Sequence, residues 1–265
     1  MSTCLTTTSA TLTISSPSQL ASPTPSTFVK RNGTRLTLDG VDFKAVGPNI
    51  YWLGLDENVV PNPSWPLRER VLEVMAVASV MGATTIRSTT LGVSYGTSLS
   101  VQPSLGTTNE AAFASIDWAV WAAKSYGLRL IIPVTDQYDY YVSSQYHGGI
   151  PTFLRFRNLS ASSPSDYGPF YDLSSDVYSD FKNYITTLLT HRSNITGLTL
   201  AEEPTILAFE TGNELGGWGG NASPPPIAWV TAIADYLKVL APNTLVLSGT
   251  YGVRSSELAI ESVDI

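Results

Sequence analysis

Short runs of consecutive apolar residues alternate along the chain with longer stretches in which apolar side chains recur every three or four positions. The runs read as strands: Phe43 to Tyr51, Thr84-Thr85-Ile86-Arg87, Leu128 to Val134, Ile206 to Glu210, Leu245 to Ser248 and, last, Val263-Asp264-Ile265. The periodic stretches read as amphipathic helices. They cover Leu67 to Met81, stopped by Gly82, and Glu110 to Tyr126, with Phe113, Ile116 and Val120 on one face and Gly127 beyond. Two more follow: Ser175 to His191, aligning Val177, Phe181, Tyr184, Ile185, Leu188 and Leu189, and Pro226 to Leu240, aligning Trp229, Ile233, Tyr236, Leu237 and Leu240. Ahead of them all, Phe28 to Arg31 and Thr34 to Leu38 flank Asn32-Gly33, a pair that favours a type I′ hairpin. Strand–helix alternation predicts a parallel sheet with helices outside it. Periodicity alone does not separate a barrel from a doubly wound sheet. The glycines at Gly212, Gly216, Gly217, Gly219 and Gly220 follow the fourth strand, whereas a dinucleotide-binding turn belongs after the first. A phosphate-cradling loop ending in Lys-Ser or Lys-Thr is also missing. The barrel is the expected fold.

Residues 1–27 break the pattern. They are almost all Ser, Thr, Pro and small residues, ending in Ser22-Pro23-Thr24-Pro25-Ser26, so they bury too little apolar surface to order and read as a disordered, O-glycosylated linker. Cys4-Leu5 resembles the end of a fungal family 1 cellulose-binding module; an ordinary tail with a stray cysteine is the competing reading. Residues 28–265 then form one domain.

Composition narrows the function. A net charge of −7, from 22 acidic and 15 basic residues, argues against nucleic acid or an anionic membrane as partner. Charged residues make up only 14%, with Ser, Thr, Gly, Pro and Tyr in their place, which fits an extracellular polysaccharide-degrading enzyme. The single Cys4 excludes an internal disulfide and a thiolate zinc site, and His147 and His191 are too few and too far apart for a metal centre. No metal and no cofactor are expected. No apolar run is long enough to cross a bilayer. Four sequons, at Asn32, Asn158, Asn194 and Asn221, point to a secreted protein, and the lack of a signal peptide then implies an incomplete N-terminus.

The richest stretch for chemistry runs from Glu203 to Trp218. It carries a strand whose C-terminal end turns polar in Glu210-Thr211-Gly212-Asn213-Glu214, the end at which active sites of parallel α/β proteins assemble. Asn213-Glu214 resembles the acid/base motif on the fourth strand of glycoside hydrolase family 5. Thr84-Thr85-Ile86-Arg87 resembles that family's second strand, and Asn49-Ile50-Tyr51-Trp52-Leu53-Gly54 the first strand and loop of its fungal endo-β-1,4-mannanases. The hairpin from Phe28 to Leu38 is similar to the plug that closes the barrel bottom in that group. The resemblance covers residues 28–265 and implies a (β/α)8 TIM barrel, incomplete here at strands 1 to 6. It further implies a monomeric, retaining, endo-acting hydrolase of β-mannan or a related plant cell-wall polysaccharide. Glu214 would be the acid/base, Asn213 its hydrogen-bonding neighbour and Arg87 the holder of the catalytic carboxylates.

Elementary chemistry agrees. Glycosidic cleavage needs a carboxylic acid to protonate the leaving oxygen and a carboxylate on the other side of the ring. A Glu beside a positioned Asn suits the first task, since the amide can bond the substrate's 2-hydroxyl. An exposed loop glutamate is the plain alternative for Glu214. Glu210 reads as a buried structural acid in need of a partner, with Arg87 available. Tyr51, Trp52 and Trp218 are candidate platforms for sugar rings, against the plainer reading of rim packing. A long structureless loop is expected from Asp136 to Gly149, with His147 as a candidate substrate ligand or a merely solvated side chain. The resemblance places the nucleophile on a seventh strand, beyond Ile265, so the chain is expected to lack it. Two other readings stand beside the mannanase: a β-1,4-glucanase of the same fold, and a carbohydrate-binding barrel without chemistry.

Overall fold

The computed structural model describes residues 25–56, 63–142, 145–217, 223–252 and 254–265, without the side chains of 140–147. The linker expected over residues 1–27 therefore lies outside the described residues except for its last three positions. The described chain opens on a three-stranded antiparallel meander, β1 (Lys30–Asn32), β2 (Arg35–Leu38) and β3 (Val41–Phe43). The expected hairpin is present, with a third strand added and its turn one residue later than the Asn-Gly pair suggests. Asn32 pairs with Arg35, so Gly33 and Thr34 form the loop. Only Gly33 of these two has positive φ (62°), the pattern of a type II′ turn rather than I′.

The main sheet is parallel. It runs in the order β4 (Thr85–Arg87), β5 (Arg129–Pro133), β8 (Ile206–Glu210), β9 (Leu245–Leu247). Backbone hydrogen bonds extend it on both sides. Residues 46–50 bond to β4, with the N–H of Thr84 donating to Val46 O at 2.8 Å and that of Ile50 to Arg87 O at 2.8 Å. At the far side the N–H of Asp264 donates to Val246 O at 2.8 Å. The expected first and last strands are thus bonded segments rather than regular strands. Helices α1 (Arg68–Val80), α2 (Glu110–Ser125), α5 (Asp176–Thr190) and α6 (Ile227–Leu240) fall where the apolar spacing put them. Two caps fix their starts: Asn109 Oδ1 accepts the N–H of Ala111 at 3.1 Å, and Ser175 Oγ that of Tyr178 at 3.0 Å.

The stretch expected to be structureless is not. It holds an antiparallel hairpin, β6 (Tyr140–Val142) and β7 (Gln145–His147), and leads straight into α3 (Gly149–Phe156), with the short α4 (Gly168–Tyr171) further on. Neither shows a hydrophobic period long enough to stand out in the sequence. Phe153 and Phe170 are fully buried, packing at tilted and edge-on angles against Phe181 and Trp229 between α3, α4, α5 and α6.

Two apolar clusters sandwich the sheet. The larger joins it to the helices. The smaller sets Val29 and the partly buried Leu36, Leu38 and Phe43 against Leu207, Ala208 and Leu245, at the N-terminal ends of the parallel strands. Arg129, the buried first residue of β5, ties this end together by donating to Thr27 O at 2.9 Å and Pro204 O at 2.5 Å. The meander therefore covers one end of the sheet and leaves the other open.

Candidate active site

At the open end the strands stop on polar residues. Arg87 is the last residue of β4 and Glu210 the last of β8. Arg87 Nε donates to Glu210 Oε2 at 2.8 Å, and its Nη2 lies 2.7 Å from the same oxygen. Nη2 also donates to Asn213 Oδ1 at 2.8 Å. On its other side the Asn213 amide donates from Nδ2 to Asp136 Oδ2 at 3.0 Å, while Asp136 Oδ1 accepts the N–H of Tyr138 at 2.9 Å. Asp136 has no exposed surface, and its backbone bridges that of Asn213 in parallel. The two segments are laced by Asn213 N–H to Thr135 O (2.8 Å) and Gln137 N–H to Asn213 O (3.0 Å).

Electrostatics follow from this crowding. Burial pushes the Glu210 carboxyl from 4.5 to about 7; the Arg87 guanidinium opposes the rise, and the Asp136 and Glu214 carboxyls add to it. The sequence expectation that Glu210 is buried and paired with Arg87 is met by this geometry.

Glu214 does not continue the strand. β8 ends at Glu210, and Glu214 sits half-buried in the following turn with φ at +50°, left-handed for a residue with a Cβ. Glu210 and Glu214 therefore do not share the strand face that an unbroken pleat would give residues four apart. The turn is held from both sides: Leu215 N–H donates to Gly249 O at 2.8 Å, and Gly216 N–H to Gln137 Oε1 at 3.0 Å. Gly249 comes so close that a Cβ there would lie 2.0 Å from Gly212 O.

The aromatic candidates are spread out. The carbonyl of Tyr51 accepts from Ser88 Oγ at 3.0 Å and Thr90 Oγ1 at 2.7 Å, pinning the loop after residue 50 to the segment after β4. Trp52 is partly buried against the larger core, with the Arg70 guanidinium 3.8 Å above its ring, so one face is already taken. Trp218 and the side chain of His147 lie outside the described residues. Among the described residues no three His, Cys, Asp or Glu side chains gather closely enough to hold a metal ion.

The family model for glycoside hydrolase family 5 of the beta-mannosidase-like type matches residues 26–263. The chain belongs to glycoside hydrolase family 5. Over 238 residues it is 34% identical to mannan endo-1,4-beta-mannosidase 2 of Oryza sativa subsp. japonica, covering 87% of this chain and 49% of that protein. Mannan endo-1,4-beta-mannosidase 1 of the same plant is 29% identical over 231 residues, 86% of this chain and 50% of its own length. The chain thus spans about half the length of these relatives. Among solved structures, the endo-1,4-beta-mannanase of Rhizomucor miehei superposes with a TM-score of 0.71 at 21% identity, covering 89% of this chain and 70% of that one. An endo-1,4-beta-D-mannanase of Thermotoga petrophila gives 0.65 at 24% identity, covering 83% and 66%. These two show the fold.

Within this family 5 chain, Arg87 and Asn213, both candidates from the sequence, are hydrogen-bonded to each other, and Glu214 follows Asn213 in the same turn. Thr135, Asp136 and Gln137, which clamp them, were not among those candidates. The signal was present: three polar residues directly after the buried strand Leu128–Val134, the same criterion that singled out Asn213-Glu214.

Proposed function

We propose that these residues supply the acid/base half of a retaining hydrolase of β-1,4-mannan, with endo action and net retention. The observation that carries it is the chain of bonds from Glu210 through Arg87 and Asn213 to Asp136, at the open ends of parallel strands with Glu214 beside it. Glu214 would protonate the glycosidic oxygen as the leaving sugar departs, then take a proton from the water that releases the intermediate. Among the described residues the second hydrogen of Asn213 Nδ2 has no protein partner, which leaves it for the hydroxyl on sugar carbon 2. Arg87 acts through the two side chains it holds. Glu210, paired to Arg87, and Asp136, committed to Asn213 and Tyr138, are poorly placed to attack a sugar. The nucleophile is then expected where the family resemblance places it, on the barrel's seventh strand.

The reading of the sheet as six staves of an eight-stranded barrel is supported by the parallel bonds that extend it to residues 46–50 and 263–265. The meander at its N-terminal end would serve as the plug. Secretion is supported by the exposure of the sequon residues Asn32, Asn158 and Asn194. The mannan assignment is supported by the rice relatives. The family model's own description, beta-mannosidase-like, favours a second reading in which single mannose units are released from chain ends.

The test is hydrolysis by the longest natural polypeptide that carries residues 28–265. Galactomannan should release oligosaccharides early in the reaction and carboxymethylcellulose should not; mannose as the first product would favour the exo reading. Glu214→Gln should lower turnover of β-1,4-mannan about 100-fold or more. Wild-type rates in that variant would remove Glu214 from the role.

A further inference from the structure

Resting on that reading of the site, we infer that Asp136 is the positioning residue for Asn213, fixing which face of its amide meets the sugar. An amide side chain can be turned over at little cost unless its neighbours tell oxygen from nitrogen. Here both neighbours do. Arg87 has only donors, so it takes Asn213 Oδ1, and Asp136, whose Oδ1 already accepts the N–H of Tyr138, presents Oδ2 as an acceptor to Nδ2. Turning the amide over would set donor against donor on one side and acceptor against acceptor on the other. Asp136 is itself held in place: it has no exposed surface, Oδ1 accepts the N–H of Tyr138, and its carbonyl accepts the N–H of Ile150 at 2.8 Å. Its backbone bridge to Asn213 sets the spacing.

The consequence concerns one hydroxyl of the substrate. With the amide locked, its remaining Nδ2 hydrogen has one direction to donate, and that bond is available without reorganisation when charge develops on the ring. Asp136→Asn would leave one donor facing another, either at Tyr138 or at Asn213. The amide of Asn213 would then be free to turn.

Asp136→Asn in the longest natural polypeptide should lower kcat on aryl β-mannosides about 10- to 100-fold with little change in KM, the scale of loss that misplacing a positioned group brings. The readout that separates positioning from support is the 2-hydroxyl. Wild-type protein should lose far more rate than the variant when the substrate is changed to its 2-deoxy analogue, and Asn213→Ala combined with Asp136→Asn should be no slower than Asn213→Ala alone. An unchanged 2-deoxy penalty in a folded Asp136→Asn variant overturns the proposal while leaving the hydrolase reading intact. A wild-type protein without activity on any β-mannoside overturns both. Should the variant not fold, the wild-type protein still decides. One of the two Asn213 side-chain amide protons should be shifted downfield and protected from exchange, and two freely exchanging protons would refute the assignment.

Discussion

Glu210 is an acid whose surroundings oppose its charge. Its carboxyl is buried beside two other acids, and Arg87 only partly offsets them, so it titrates at about 7 instead of 4.5. Below pH 4.5 the group is protonated both folded and unfolded; between 4.5 and 7 only the folded form keeps the proton. The stabilisation due to proton binding is thus fully present at low pH and is lost as pH rises to about 7. Asp139, pushed by burial from 3.8 to about 6, acts in the same direction. The thermal midpoint should fall as pH is raised from about 5 to 7.5, and Glu210→Gln should flatten that fall. An equally steep fall in the variant would show that Glu210 does not titrate in this window. Sequence alone suggested the partner of Glu210 because a buried acid needs one and Arg87 on the second expected strand is available. It did not show the shift, which arises from three acids brought together by β5 and by the turn after β8.

At the scale of elements, the site depends on how tightly neighbouring segments approach. The left-handed turn at Glu214 survives because Gln137 and Gly249 hold its backbone from opposite sides. Replacing Gly249 by Ala would drive a methyl into the backbone of Gly212, and overpacking of this kind costs about 1–3 kcal/mol. Chemical denaturation of Gly249→Ala should show a loss of that size; a change below about 0.5 kcal/mol, the usual range of surface substitutions, would mean that the turn can yield. The long helices were legible because each buries a periodic face, and Gly82 and Gly127 mark where two of them stop. α3 was not, since Gly149-Ile150-Pro151 at its start reads as loop chemistry and its apolar residues make barely two turns. The turn at Glu214 was hidden for a different reason. Nothing in Thr211-Gly212-Asn213-Glu214 forbids the strand from continuing; contacts from residues 137 and 249, distant in sequence, stop it.

At the scale of the molecule, the sheet is well covered on its faces and open along its sides. Residues 44–49 are exposed although 46 and 48 accept hydrogen bonds from β4, and Val46 shows 57% of its surface. On the far side Ile265 is 48% exposed, next to an apolar cleft of about 290 Å³ lined by Leu247, Leu258 and Val263. Parallel strands are stable when buried on both faces and bonded on both edges, and an unpaired edge invites pairing with another chain. β8 meets this requirement, being buried throughout between β5 and β9, but the outer segments do not. The 265-residue polypeptide by itself is therefore expected to self-associate, to bind the dye 8-anilinonaphthalene-1-sulfonate more than a closed barrel of similar size, and to hydrolyse no β-mannan. The expected lack of turnover would have a separate cause: on the proposed reading Glu214 needs a second carboxylate across the sugar for double displacement, and Glu210 and Asp136 are already engaged, by Arg87 and by Asn213 and Tyr138. The two expectations come apart in one experiment. Adding, as a separate polypeptide, the half of a mannan endo-1,4-beta-mannosidase that this chain does not match would offer strands to both exposed edges and, on the proposed reading, a second carboxylate. Loss of dye binding on mixing would locate the association in the open sides, and turnover appearing with it would show that the second polypeptide supplies the carboxylate. Turnover of β-mannan by the 265-residue polypeptide alone would instead require the second carboxylate to lie within it, and Glu210 and Asp136 would have to be reconsidered for that role.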